Sequence, residues 1–296
     1  MNSLTKPQLG LSGQYRVEIK RNGIIIKETD WFDNLITNTG LDYLGSDRTV
    51  FKCKVGTGTS APNVLDFSLS NELASVHLHI DGVYSSNTAV QVTNSLEPNF
   101  ITSYTYNCVF PQGAVVGNIT EVGIGPVTEG LFSRALITDS NNVPTSLTLL
   151  AIDQLTLYYK LTVAPVISVT NGSVTINSVV YNYTCQLTNP AAAFNTPLFL
   201  DRPTVFTLAN FKTASLVDLG SCGHTPLNYV NGSYTKGFKI NCPIDVGNHA
   251  DGISIMNVYF NNNGERGIFK YTFARPIIKT NTQVLTLDLT RSWGRG

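Results

Sequence analysis

The chain is written as short runs in which apolar and polar residues alternate, each closed by turn-forming residues, and stacked β-sheets are what such a pattern folds into. Tyr15, Val17 and Ile19 alternate with Arg16, Glu18 and Lys20. A period of two places each set on its own face of a strand, so this stretch is half buried. Arg21-Asn22-Gly23 supplies a tight hairpin turn, because Gly accepts a positive φ. Ile24-Ile25-Ile26 then begins a return strand running toward Trp31.

The same grammar continues. Residues 76–80 alternate strictly, and Phe100, Thr102, Tyr104, Tyr106, Cys108 and Phe110 line one side of a long strand. Residues 131–137 and 155–163 read as two more. Val174-Thr175-Ile176, the turn Asn177-Ser178 and the run from Val179 to Tyr183 form a hairpin, and strands resume at 238–241, 253–260, 267–273 and 284–289. Residues 189–232 hold Pro190, Pro197, Pro203, Gly220, Gly223, Pro226 and Gly232, which predicts long loops. One or two short helices are expected. In one, Asn38 or Thr39 caps a segment with Leu41 and Leu44 on one face and Gly45 at its end; the other includes Phe67, Leu69 and Leu73.

The expected fold is therefore all-β: two β-sandwich or jelly-roll-like domains with one or two short helices. Pro165 lacks a backbone donor and punctuates a sheet, so the domains are placed at 1–165 and 166–296. The 296 residues suffice for two cores.

Charge narrows the function. Only 14% of residues are charged, with abundant aromatics, which excludes intrinsic disorder. Residues 1–165 carry 10 Lys/Arg against 14 Asp/Glu, and residues 166–296 carry 10 against 6. Opposite-sign halves favour head-to-tail contact between copies. Neither half is basic enough for nucleic acid, which needs clustered Lys and Arg on one face. The start, Met1-Asn2-Ser3-Leu4-Thr5-Lys6-Pro7, has no apolar signal region, and no run approaches a membrane span. A soluble product made in a cytosol is expected, so the sequons at Asn118, Asn171, Asn182 and Asn231 carry little weight.

Several motifs resemble chemistry only in part. Gly56-x-Gly58 lacks the Gly-Lys-Ser/Thr of a phosphate loop and reads as a turn at a sheet corner. His77 and His79 share a strand face without a third ligand. Cys222, His224, Cys242 and His249 have zinc-type donors but not zinc-site spacing; the competing reading is a Cys222–Cys242 disulfide across a 19-residue interval, worth roughly 3 kcal/mol. Asp245, His249 and Asp251 share a loop that reads as a hydrated turn, and no nucleophile elbow is present. No catalytic residue, cofactor or metal is expected.

Five cysteines, Cys53, Cys108, Cys185, Cys222 and Cys242, leave at least one unpaired within the chain. Free, half-buried thiols are the default for a cytosolic product, with intersubunit disulfides as the alternative once a particle meets oxidising conditions. Tyr229, Asn231, Tyr234 and Phe238 surround Gly232-Ser233, a composition typical of adaptable contact loops.

Four segments together resemble a known family. They are Trp31-Phe32-Asp33-Asn34-Leu35-Ile36-Thr37-Asn38 with Gly40-Leu41; Val55-Gly56-Thr57-Gly58-Thr59; Glu121-Val122-Gly123-Ile124-Gly125 with Leu131-Phe132-Ser133-Arg134-Ala135; and Asp153-Gln154-Leu155-Thr156-Leu157. This string resembles tailed-bacteriophage virion structural proteins, the tail, collar or minor structural proteins, over roughly residues 12–165. The C-terminal half resembles them more loosely, through Leu287-Asp288-Leu289-Thr290-Arg291-Ser292-Trp293. The resemblance implies a non-enzymatic, multi-copy component of a virion, forming a ring or sheath at the neck, collar or tail. Its partners would be copies of itself and other virion proteins. The alternatives are a host-surface-binding module of a tail fibre or baseplate, with the 189–232 loops on bacterial surface glycan, or a capsid decoration protein.

Overall fold

The computed structural model describes residues 3–4, 8–45, 51–77, 92–94, 97–99, 102–126, 129–165, 169–189, 203–212, 215–262 and 265–296. Among the described residues the alternating pattern becomes strand after strand, in several sheets with one short helix. In chain order the first elements are β1 (Ser3–Leu4), β2 (Gln8–Arg21), β3 (Ile24–Glu28), β4 (Phe32–Asp33), β5 (Leu35–Ile36), α1 (Asn38–Tyr43), β6 (Phe51–Gly56) and β7 (Glu72–His77). Next come β8 (Val92–Asn94), β9 (Glu97–Asn99), β10 (Thr102–Phe110), β11 (Gly117–Ile119), β12 (Glu121–Pro126), β13 (Ser133–Leu136), β14 (Leu147–Leu149) and β15 (Asp153–Pro165). The last are β16 (Thr170–Ile176), β17 (Val179–Asn189), β18 (Pro203–Lys212), β19 (Ser215–Pro226), β20 (Thr235–Cys242), β21 (Ile253–Asn262), β22 (Glu265–Ile277) and β23 (Leu285–Arg295).

The chain divides into two compact units. One comprises Leu11–Val90, Ser103–Val163 and Arg295–Gly296; the other comprises Met1–Gly10, Gln91–Thr102 and Ala164–Gly294. Along the main chain they part at 163/164, and each also takes in a short piece from elsewhere in the sequence.

The unit built mainly from 11–163 has two layers. In one, β15 lies between β10 and β2, with β3 and β4 paired along β2. The other is a sheet in the order β5-β13-β12-β6-β7. Alternation sends Tyr15, Val17, Ile19, Leu155, Leu157, Tyr159 and Leu161 inward, and all are buried. Cys53, Val55, Val122, Ile124 and Ala135 are buried on one face of the second sheet. Tyr15 Oη lies 2.6 Å from Ser133 Oγ, satisfying a phenol that burial holds in its neutral form. A Cys53–Cys108 disulfide joins β6 to β10 and so ties the two layers.

The other unit runs β23-β20-β19-β18-β21-β22-β17-β16, and β1 adds to β23 in parallel. Its long strand β19 changes partner: Ser215–Cys222 pairs with β18, and Gly223–Pro226 pairs with β20. Gly220 sits at the bulge in the β18–β19 pairing with φ +96°, a conformation that only glycine adopts readily. Tyr183, Phe238, Met256, Tyr271 and Phe273 are among the buried core, with Tyr183 edge-on to Tyr271 at 5.6 Å.

Both hairpin turns read from sequence are present. Asn22 and Gly23 have φ of 50° and 79°, and Asn177 and Ser178 have φ of 48° and 65°. Two consecutive positive values match the twist of the flanking strands. Other expectations need correction. The helix cap is Thr37, whose hydroxyl accepts from Gly40 N at 2.9 Å, and Asn38 is already helical. The second helix does not form: Phe67 and Leu69 lie in a loop and Leu73 in β7. Apolar residues at near-helical spacing were there because Leu69 is buried as an anchor for that loop. Residues 189–232 are not all long loops, since β18 and β19 lie inside them. Their breakers sit where strands tolerate them, with Pro203 first in β18 and Pro226 last in β19. His79, Tyr104 side-chain detail, Phe100, Pro190 and Pro197 lie outside the described residues.

Candidate functional site

The polar centre of the 11–163 unit is an ion pair that the sequence placed inside two apolar runs. β12 and β13 pair with Gly123 opposite Arg134 and Glu121 opposite Leu136, so Glu121 and Arg134 are diagonal neighbours on one face. That face points away from the inter-layer core, which takes Val122, Ile124 and Ala135. The segment between β6 and β7 lies over it. Both charges are fully enclosed, with side chains 0% and 1% exposed.

Every strong group of the pair has a partner. Glu121 Oε1 accepts from Gly58 N at 3.0 Å and Asn71 N at 2.8 Å. Its Oε2 accepts from Ser70 N at 3.1 Å and from Arg134 Nε at 2.9 Å. Arg134 donates onward through Nη1 to Asp66 at 2.6 Å, and through Nη2 to Ser60 O at 2.9 Å and Ser70 Oγ at 2.7 Å. The planar guanidinium fork suits this divergent set of acceptors. A desolvated pair is tolerated only when its remaining donors and lone pairs are matched in this way.

Glycines make the close approach feasible. A Cβ on Gly58 would stand 2.4 Å from Glu121 Oε1 and from Ser70 Cβ, and one on Gly56 would stand 2.4 Å from Asn71 O. The Gly-x-Gly of 56–58 is therefore a seat for the Glu121 carboxylate against backbone, where sequence alone suggested a sheet corner. On the same principle Gly40 lies against Phe132, with its notional Cβ 2.1 Å from Phe132 O, so α1 docks directly on the segment before β13. Arg295 adds a further tie there, donating to Ile36 O and Asn38 Oδ1, each at 2.6 Å.

This network holds segment 57–71 in place while apolar side chains project from it. Leu65 is 74% exposed and Phe67 52%. The ordering cost of this loop is met within the fold, which leaves its outward apolar groups preorganised at the surface. A second surface feature is Trp31, with the Arg16 guanidinium 5.5 Å and the Lys160 ammonium 4.6 Å from its ring centre. Arg16 also pairs with Glu28.

The residues singled out from sequence fall as follows. Cys53 pairs with Cys108 and Cys222 with Cys242, so these four are not free thiols and do not bridge subunits. Continuing the β19–β20 register places Cys222 opposite Cys242, with Cα atoms 4.4 Å apart, which is why they meet. Neither is then a metal-ligating thiolate. Cys185 is buried, and burial raises its thiol pKa to about 11. Of the contact-loop candidates, Phe238 is a core residue: its inward position in β20 buries it completely. Tyr229 stacks on Trp293, ring centres 5.7 Å apart. Tyr234 takes a φ of 47° and its carbonyl accepts from Trp293 N. Asn231 is exposed at the turn.

His249 and Asp251 share a turn in which Asp251 N donates to His249 Nδ1 at 3.2 Å. That turn is held by a residue the sequence did not flag. Lys279 is buried, donates to Ile244 O at 3.2 Å and Asn248 Oδ1 at 3.0 Å, and desolvation lowers its pKa. Glu121 and Arg134 also lay unremarked within quoted motifs. Their signal was a charge inside an apolar strand of a chain that uses few charges. Compared with family models, curated proteins and solved structures, the chain matches none.

Proposed function

We propose that this chain is a non-enzymatic, multi-copy structural component of a tailed-bacteriophage particle, forming a ring or sheath at the neck, collar or tail. The carrying observation is the anchored loop 57–71, which displays Leu65 and Phe67 above the buried Glu121–Arg134 pair. Two of the four motif segments that resemble virion proteins supply the surroundings of that pair: 55–59, and 121–125 with 131–135. Their polar groups are spent on holding the fold, as suits a part that works by docking. The opposite-sign charge of the two halves favours contacts between copies.

Quantitative electrophoresis of purified particles, with the full chain followed in parallel by sedimentation, tests this reading. It expects many copies per particle and a multimer in solution. A chain missing from particles, or held as a monomer at every concentration, overturns it.

A further inference from the structure

We propose that Lys279 and Asn248 join in an intramolecular isopeptide bond, closed by the chain itself with loss of ammonia. The two residues sit on separate connections of a single unit, Asn248 between β20 and β21 and Lys279 just after β22. Lys279 Nζ donates to Asn248 Oδ1 at 3.0 Å and to Ile244 O at 3.2 Å, and Asn248 Nδ2 donates to the same Ile244 carbonyl. One carbonyl therefore holds the amine and the amide nitrogen side by side. A lysine buried for structure alone is ordinarily paired with a carboxylate. Lys279 is 3% exposed and faces two neutral oxygens instead.

The surrounding fold fixes this meeting. Gly247 N donates to Leu219 O at 2.9 Å, and Val246 packs against the core. A Cβ on Gly252 would stand 2.7 Å from Ile278 Cδ1, so the same connection also lies tight against the residue before Lys279. Groups already held in contact react at an effective concentration far above that of free ones. Burial lowers the Lys279 pKa and so favours the neutral amine, which is the nucleophilic form. Asn248 is exposed, which gives the leaving ammonia a path to water. The Nζ lone pair attacks Asn248 Cγ; the Nζ–Cγ bond forms and the Cγ–Nδ2 bond breaks. One proton passes from Nζ to Nδ2, which departs as ammonia, and no electrons are gained or lost. Asp245, whose charge acts on Lys279, is the carboxylate assigned to that proton transfer. The product ties two connections 31 residues apart and restricts the unfolded chain as a disulfide would, but reductant does not open it. Linkage occurs within one chain, so it does not depend on the multi-copy reading.

Intact-mass spectrometry of the full chain, reduced and denatured, tests the bond. The wild type is expected one ammonia lighter than its sequence, and digestion is expected to release a branched peptide joining Lys279 to Asn248. Lys279→Arg keeps the charge but stays protonated and cannot attack. Asn248→Ser removes the amide. Each is expected at full sequence mass, with melting curves confirming that it folds. Asp245→Asn is expected to lower the linked fraction of freshly made chain at least about ten-fold. Full mass in the wild type overturns the cross-link, and so does an ammonia loss that survives Lys279→Arg or Asn248→Ser. A linked fraction unchanged in Asp245→Asn overturns the assignment of that carboxylate.

Discussion

Glu121 and Arg134 sit on neighbouring strands, two residues off register, and close a 2.8 Å ion pair that water does not reach. Breaking it from one side leaves a buried charge without its counter-charge. Arg134→Met is expected to cost about 3–5 kcal/mol, and Glu121→Gln a similar amount. The double variant is expected to cost less than the sum, because both charges leave together. Urea denaturation of the three variants measures this; additive losses would mean the two residues act independently.

Gly58→Ala tests the seat of the carboxylate. The new Cβ meets Glu121 Oε1 and Ser70 Cβ at 2.4 Å, and one of those contacts is to a side chain already fixed by backbone donors. A loss of roughly 1–3 kcal/mol is expected. Amide exchange should rise across 57–71 and stay unchanged in β2 and β15. Uniform exchange throughout would assign the strain elsewhere.

The disulfides predict a thiol count. The denatured, unreduced chain should titrate one thiol, Cys185, and the reduced chain five. In the native state at pH 8 that thiol should not react, because it is buried and its pKa is raised to about 11. Removing the Cys53–Cys108 link, which closes 55 residues, is expected to cost about 4 kcal/mol by loop entropy, and the shorter Cys222–Cys242 link about 3 kcal/mol. Five reactive thiols without reductant would show that neither bridge forms.

Acid should act through Asp153. Hydrogen bonds from Arg21, and then from Leu150 N, hold its carboxyl below the usual carboxylate range. A depressed folded pKa stabilises the fold above the unfolded value, about 4, and the contribution is lost as pH falls through the folded value. Asp153→Asn should therefore be less stable than wild type at neutral pH, with the gap narrowing below about pH 4. Melting curves from pH 7 to pH 2 check this, and a pH-independent gap would deny Asp153 its role.

Much of the fold was legible because its cues are local. Tyr15, Val17 and Ile19 announce an inward face, and Asn22-Gly23 and Asn177-Ser178 announce turns, each within a few residues. The long loops expected in 189–232 give way to β18 and β19 because Gly and Pro signal breaks without regard to where strand partners lie. Gly220 falls at the bulge in the β18–β19 ladder, and β19 changes neighbour only after Cys222, which no window of sequence displays. Of the site, only its glycines and apolar frame were visible; Phe238 was mistaken for a loop contact because its burial depends on β23 beside it.

By itself the sequence determined a layered β protein with low charge, tight hairpins and an odd cysteine, since period, turn chemistry and composition act over short spans. The tertiary structure alone decided that Cys53 finds Cys108, that Glu121 and Arg134 neutralise one another, and that the isoleucines of β3 stay uncovered. Those outcomes depend on which strands lie side by side. Register over long separations is set by the sum of many contacts, and no local pattern encodes it.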